Sequence, residues 1–348
     1  MQVEDSPARP RPMWRRIMTF ILPAAIAAAL LVGVLPAMAD LADVWSTIRA
    51  LESQDVVFLV VLAAWNILTY QLVIMAALPG LSLSQAFIVG QISTAVSNTV
   101  PAGSAVGVGV AYALFASFGH SATAIGIAAA LTGLWNTFVK LGLPVVALAI
   151  LAFRGTPNAA MLGAAVSGVA VLAMAVTVLG VIVASDRLAA ATGARLGRIA
   201  SRFAAPLGKG PFDDWDVRFS GFRASTTDVL ARRWYWLTAA TVLSHLSLFA
   251  MMLASLRVMG VSSALVTWDE ALAAFAFVRL VTALPVTPGG VGLVEVGMTG
   301  ALTLAGGAEA QVVAAVLVYR ALSYGAQIPI GAISWLVWKT RMGRPRAT

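Results

Sequence analysis

Apolar runs of bilayer-spanning length dominate this chain and restrict what it can fold into. The hydrocarbon core of a bilayer is roughly 30 Å thick and requires about 20 apolar residues in a helix. Four runs reach that length without interruption: residues 17–38, 56–78, 159–184 and 234–256. Only 11% of the 348 residues are charged and 60% are hydrophobic, so a water-soluble fold of this size would lack its charged shell. We therefore expect an all-α, polytopic membrane helical bundle.

Two further apolar blocks are longer than one untilted span. Residues 121–153 contain Lys140, Gly142 and Pro144, and we expect one long helix that is kinked at the proline. The last block, residues 312–338, contains Pro329 and Gly331, which predict a break near its end.

Basic residues are concentrated in three segments outside these blocks: 1–16, 185–233 and 339–348. Because cytoplasmic loops carry the excess of Lys and Arg, we expect all three segments, and hence both termini, to be cytoplasmic. They separate an N-terminal membrane half, 17–184, from a C-terminal membrane half, 234–338. Since the positive charge follows this orientation pattern, we expect no nucleic-acid partner.

The source of the chain is also reflected in its composition. Twenty arginines stand against three lysines, and alanine is abundant, which is typical of a GC-rich bacterial genome. We expect the bacterial inner membrane.

Two segments have an apolar face at helical spacing but lack the length of a span. The first face comprises Leu41, Val44, Trp45, Ile48 and Leu51, and the second, in the basic loop, comprises Trp215, Phe219, Phe222, Thr226 and Val229. We expect both helices to lie on the membrane surface, with a partner-binding site as the alternative.

Proline and glycine interrupt two apolar segments where an ordinary span would continue. Residues 86–118 are broken at Asn98-Thr99-Val100-Pro101-Ala102-Gly103, and residues 271–305 at Pro285-Val286-Thr287-Pro288-Gly289-Gly290. A helix, a break and a returning helix predict a re-entrant hairpin. Its exposed backbone is tolerated at membrane depth only inside protein or beside a wet cavity.

These two predicted hairpins have opposite directions. Counted from a cytoplasmic N-terminus, the first enters from the cytoplasm and the second from outside, so the halves form an inverted repeat. In transporters of this design, the interrupted segments point to the substrate site near the bilayer midplane. The candidate binding residues at the breaks are Asn98, Pro101, Gly103, Pro288, Gly289 and Gly290.

Three charged residues lie inside apolar segments: Arg279, Glu295 and Arg320. Each requires a partner or a purpose, because an arginine at the centre of a membrane helix costs at least roughly 2.5–3.5 kcal/mol. Arg279 lies nine residues before Pro288 and Glu295 seven after it, so we expect them to face each other across the hairpin, with Arg320 as the third member. The surplus positive charge favours an anion. The alternative is a buried ion-pair brace.

Other polar residues inside the spans are weaker candidates. Lys140 is a binding candidate, with snorkelling to the interface as the alternative. His245 is expected to be packed and hydrogen-bonded. Interhelical hydrogen bonding is expected for the amides Asn66, Gln71, Gln91, Asn136 and Gln327.

Metal, cofactor and nucleotide chemistry find no support in the sequence. Cysteine is absent, and His120 and His245 are too far apart for a local ligand motif. The segment Gly208-Lys209-Gly210 lacks the rest of a P-loop. We expect no metal, no cofactor and no catalytic group.

The second break and the residues around it resemble the lysylphosphatidylglycerol synthase transmembrane, or flippase-like, family. The shared pattern is Arg279, the Pro-Gly-Gly-x-Gly-x-x-Glu sequence from Pro288 to Glu295, and Tyr319-Arg320. Asn98 and Pro101 match the Asn-x-x-Pro of the family's N-terminal half. Many members continue with a Gly-Glu-x-x-Arg pattern, whereas the five residues from Gly103 carry no charge here. The synthase domain of some relatives is not expected in this chain.

The resemblance implies transfer of lipid between leaflets and not lipid synthesis. We expect a translocator of an anionic phospholipid or a polyprenyl-phosphate-linked precursor, whose phosphate meets Arg279 and Arg320 while Glu295 modulates their charge. Two alternatives stay open: an intramembrane enzyme that uses Glu295 as acid or base, and a membrane scaffold for a cytoplasmic glycosyltransferase or synthase.

Overall fold

The computed structural model describes residues 33–100, 103–154, 166–170, 172–174, 177, 215–282 and 287–342. The predictions for the N-terminal tail, for the first span up to residue 32, for most of the span 159–184 and for the basic loop up to residue 214 lie outside these residues. Pro101 and residues 283–286 also lie outside them.

The described residues form helices and connecting turns, as the hydropathy pattern predicts. In chain order the helices are α1 (Leu35–Met38), α2 (Leu41–Arg49), α3 (Ser53–Ala77), α4 (Leu83–Thr99), α5 (Gly103–Ser117), α6 (Ala122–Arg154), α7 (Trp215–Val258), α8 (Trp268–Val281), α9 (Leu293–Leu304), α10 (Glu309–Arg320) and α11 (Gln327–Met342). A short 3₁₀ turn, Pro288–Gly290, lies between α8 and α9.

Among the described residues, four helical stretches are long and apolar enough to cross a membrane: Ser53–Ala77, Ala122–Arg154, Arg232–Val258 and Glu309–Thr340. They match the blocks 56–78, 121–153, 234–256 and 312–338 of the sequence. The second of them is one continuous helix with Pro144 inside it. The chain is therefore a multi-pass, all-α membrane protein.

The chain divides into two compact units. One consists of Thr19–Val169 with Tyr235–Thr348, and the other of Met1–Met18 with Ala170–Trp234. All contacts below lie within the first of these units.

Helix starts follow local capping chemistry. The Asp40 side chain accepts a hydrogen bond of 2.7 Å from the Ala42 N–H at the start of α2. At the start of α4, the Ser82 and Gln85 side chains each accept from the other residue's backbone N–H, which forms a capping box. These bonds satisfy backbone donors that have no partner within the helix.

Helices α4 and α5 form an antiparallel hairpin across the first break. They approach closely because glycines face serines: a methyl group on Gly103 would clash with the backbone of Ser97, and one on Gly107 would clash with the Ser97 side chain. Helices α8 and α9 form the second hairpin, in which Gly297 packs against Val278. Both predicted helix pairs are thus present, and their re-entrant character, like the direction in which each would enter a membrane, stays a prediction.

The predicted break in the last apolar block is wrong in position. The irregular stretch is a π-helical turn at Ala321–Gly325, in which the Ala326 N–H donates to the Ala321 carbonyl. Pro329 lies in the first turn of α11, where a proline removes no intrahelical hydrogen bond and is therefore tolerated.

The predicted surface helix 41–51 has a packing role. Helix α2 contacts α10, and Val44 is buried in the main apolar core, while Leu41 and Trp45 are exposed. This core is centred on the fully buried side chains of Met252, Phe275, Met298 and Val313, which come from α7, α8, α9 and α10.

The last helix is held tightly to the first hairpin. Helix α11 packs along α4, and the two helices approach each other closely at Gly331. A methyl group on Gly331 would lie 2.5 Å from the Gln91 carbonyl oxygen and would clash with Ala95. This helix, which ends the C-terminal half of the sequence, thus contacts the hairpin of the N-terminal half.

Candidate functional site

A cavity of ≈ 840 Å³ lies among the membrane-length helices and both hairpins. Its volume falls in the range of small-molecule pockets. Its wall is rich in hydroxyls, amides and cations, although it lies among apolar helices. The polar side chains of the wall are Asn66, Tyr70, Gln91, Ser93, Thr94, Ser97, Asn98, Ser104, Tyr112, Thr132, Asn136, Lys140, Thr241, Ser244, His245, Arg279, Thr282, Tyr319, Arg320, Ser323, Tyr324 and Gln327.

Three cations reach this wall from three helices: Lys140 from α6, Arg279 from the last turn of α8 and Arg320 from the end of α10. Arg279 lies at a helix C-terminus, where the helix dipole favours positive charge. No acidic side chain of the described residues lines the cavity. The cavity is therefore electropositive.

Arg320 is neutralised by a carboxylate behind it. Its Nε donates to Glu295 Oε1 at 2.6 Å, and its Nη2 donates to the Gly289 carbonyl at 3.1 Å. The other Glu295 oxygen accepts from the Gly292 N–H at 2.7 Å, at the start of α9. Glu295 is only 5% exposed, so this ion pair is buried.

Arg279 has no such partner. The structure gives its guanidinium no hydrogen bond or ion pair with a described residue, and its buried Nε lacks an acceptor. It lies close enough to Lys140, His245 and Arg320 for charges on these groups to interact. The prediction that Arg279 faces Glu295 is wrong, because Glu295 is turned toward α10 and is occupied by Arg320 and Gly292.

The two breaks lie side by side. The Pro288–Gly290 turn contacts both α4 and α5. Tyr324 of the π turn links the two: its hydroxyl donates to the Asn98 carbonyl at 2.5 Å, and the Asn98 amide donates to the Tyr324 carbonyl at 3.3 Å. The same ring packs against Gly289, whose φ of +58° and lack of a side chain allow this approach.

The predicted site residues thus separate into groups. Asn98, Lys140, Arg279, Gly289 and Arg320 line the cavity. Glu295 supports Arg320 from behind, Gly290 lies in the turn beside Thr282, and Gly103 serves the contact between α4 and α5. Pro288 begins the 3₁₀ turn, and Pro101 lies outside the described residues.

Among the amides expected to form interhelical hydrogen bonds, Asn66 does so. Its amide donates to Ser247 Oγ at 2.7 Å and to the Ser244 carbonyl at 3.2 Å, which joins α3 to α7. Gln71 instead donates to Ile67 of its own helix at 2.9 Å. Asn136 and Gln327 line the cavity.

The sequence reasoning missed the aromatic part of the site. The guanidinium carbon of Arg320 lies 4.5 Å from the Tyr324 ring centroid, and Tyr70, Tyr112 and Tyr319 also line the cavity. Spacing offers a signal for Tyr324, since it follows Arg320 by four residues and hence by about one helical turn.

Comparison with protein-family models identifies a family for most of the chain. No curated protein matches the chain. The family model described as the lysylphosphatidylglycerol synthase TM region matches residues 20–331, which include every cavity-lining residue named above. The protein therefore belongs to the lysylphosphatidylglycerol synthase transmembrane-region family.

Proposed function

We propose that this protein translocates an anionic lipid, either a phospholipid or a polyprenyl-phosphate-linked precursor, between the leaflets of a bilayer. The observation that carries this proposal is the unpaired guanidinium of Arg279 in the wall of a cavity that no described acidic side chain lines. A charge left unpaired among apolar helices is costly, and this cost is relieved when an anionic head group enters.

The neighbouring groups suit a phosphate. Arg320 is held in position by Glu295 and the Gly289 carbonyl, so it meets an incoming head group without losing side-chain freedom. Glu295 lowers the local charge, which keeps binding weak enough for release. The hydroxyls of Tyr319, Ser323 and Tyr324 add hydrogen-bonding groups nearby.

The membrane arrangement belongs to the same proposal. We place the protein in the bacterial inner membrane with both termini in the cytoplasm, and the two hairpins enter from opposite faces. Their breaks then meet near the midplane, where inverted-repeat transporters bind their substrates. The acyl or prenyl tails stay in the bilayer while the head group crosses through the cavity.

Lipid transfer by purified protein tests the proposal. Proteoliposomes would carry fluorescently labelled phosphatidylglycerol or a labelled polyprenyl phosphate, and a membrane-impermeant quencher would report the leaflet of each probe. We expect Arg279→Gln to lower the transfer rate about tenfold or more, because a charged hydrogen bond contributes about 1.5–3 kcal/mol. Arg49→Gln is the matched control, since Arg49 is exposed on α2 and stacks on Trp45.

Two results would contradict the proposal. One is the absence of transfer of both probes under ion gradients of either sign. The other is normal transfer by Arg279→Gln. Elution and melting of each variant in detergent must match the parent, since lost expression of Arg279→Gln would instead indicate a structural brace.

A further inference from the structure

The amount of net positive charge around the cavity restricts the ligand more closely than the sign of that charge alone. Lys140, Arg279 and Arg320 contribute three positive charges, and Glu295, the carboxylate bound to Arg320, contributes one negative charge. Two positive charges therefore have no counterpart among the described acidic residues around the cavity. Interior ions are favourable only when they are paired and hydrogen-bonded.

Common lipid head groups differ in how well they match this surplus. A phosphodiester such as phosphatidylglycerol carries one negative charge and leaves one cation unpaired. An aminoacylated phospholipid adds an ammonium group, which the three cations would repel. The terminal phosphate of a phosphomonoester carries up to two negative charges and, when fully ionised, matches the surplus.

The cavity wall also contains a hydrogen-bond acceptor, the His245 ring, beside the three cationic side chains. His245 is 5% exposed and lines the cavity, and its Nδ1 lies 3.0 Å from the Thr241 carbonyl. Because a carbonyl only accepts, Nδ1 carries the proton and Nε2 is left as an acceptor. This Nε2 is buried without a partner.

A hydrogen-bond acceptor beside three cations suits a ligand that is anionic and also carries a hydroxyl proton. A terminal phosphate that keeps a P–O–H group has such a proton, but it then carries only one negative charge and leaves one cation unpaired. A phosphodiester has no P–O–H group at neutral pH. The charge balance, and not the acceptor, therefore indicates the head group.

We propose that the cavity recognises a lipid with a terminal phosphate, in preference to phosphodiester or aminoacylated lipids. The inference rests on the proposed function for the cavity being a lipid site, and it names the substrate class. Arg279 and Lys140 bind the two charges, and Arg320 completes the contact.

Equilibrium binding to the full-length protein in detergent tests this independently of transfer. The informative pair of probes is dioleoyl phosphatidic acid and dioleoyl phosphatidylmethanol, which share their tails and differ by one methyl group and one charge. Dioleoyl lysylphosphatidylglycerol is the aminoacylated probe, and farnesyl phosphate is the prenyl probe. We expect phosphatidic acid to bind about tenfold or more tightly than phosphatidylmethanol, and lysylphosphatidylglycerol to bind more weakly still.

The variant Lys140→Gln sharpens this test. It removes one cavity charge, so we expect it to weaken binding of phosphatidic acid about tenfold while binding of phosphatidylmethanol changes little. Lys339→Gln is the matched control, because Lys339 is exposed and stacks on Trp335 outside the cavity.

The outcomes separate the two proposals. Equal binding of phosphatidic acid and phosphatidylmethanol, or an equal loss of both in Lys140→Gln, would overturn the terminal-phosphate inference even if lipids are transferred. A preserved preference without any transfer would overturn the translocator proposal and leave this inference standing. Binding of farnesyl phosphate alone, or of phosphatidic acid alone, supports the inference and identifies the tail as prenyl or diacyl.

Discussion

The ion pair between Glu295 and Arg320 is the contact whose loss we expect to destabilise the protein most. Its side chains are only 6% and 12% exposed, and the N–O distance is 2.6 Å. Removing one partner of a buried pair costs about 3–5 kcal/mol, because the other charge is left buried. For Glu295→Gln we expect the lower value, about 3 kcal/mol, since the amide keeps an acceptor oxygen.

This value converts into a measurable change of melting temperature. At about 2–4 °C per kcal/mol, the Glu295→Gln protein should melt about 6–12 °C below the parent. The measurement is the fraction of monodisperse fluorescently tagged protein that remains after heating in detergent. Thiol-reactive dyes are unsuitable because the chain contains no cysteine.

The double variant Glu295→Gln with Arg320→Gln decides whether the two residues act as a pair. We expect it to melt no lower than the less stable single variant, since neither charge is then left alone. It should still fail to transfer lipid, because the Arg320 guanidinium is absent. Additive falls in melting temperature would refute the pairing, and restored transfer would refute a binding role for Arg320.

Two further contacts give smaller effects. Gly331→Ala should lower the free energy of unfolding by about 1–3 kcal/mol, because the methyl group clashes where α11 meets α4. Gly109→Ala is the control and should be neutral or stabilising, because its methyl group would meet open space. Equal melting temperatures of the two variants would contradict the packing argument. Tyr324→Phe removes the hydroxyl that donates to the Asn98 carbonyl, so we expect a loss of about 1 kcal/mol and a fall of about 2–4 °C. The exposed Tyr112→Phe serves as its control, and an unchanged melting temperature for Tyr324→Phe would show that the two breaks do not depend on this bond.

Much of the helix layout could be predicted from the sequence, because the signals are local. Length and hydropathy determine which runs can form membrane helices, and proline and glycine interrupt them near residues 101 and 288. The helices on both sides of each break begin and end within a few residues of the expected positions.

The pairing of charges could not be predicted in the same way. Sequence distance from Pro288 gives the depth of Arg279 and Glu295 along their helices, but it does not give the direction in which each side chain points. Glu295 is turned toward α10 by its bonds to Gly292 and Arg320. Only the packing of three helices determines that direction.

The π turn at Ala321–Gly325 was similarly hidden. Its residues continue the apolar pattern of the last block, and Pro329 places the predicted helix break at the wrong position. The extra residue in this turn changes the helical register, and Tyr324 meets both breaks there. This register change depends on tertiary contacts, so the hydropathy pattern does not predict it.

The close fit of Gly331 against α4 has a consequence for movement. Alternating access is often described as one sequence half rocking against the other, with a boundary at the middle of the chain. Here such a boundary would separate α11 from α4, where backbone and methyl groups are already in contact. Helix α11 should therefore travel with the first hairpin as one rigid body, and the hinge that frees it from α10 would lie in the π turn beside the arginine.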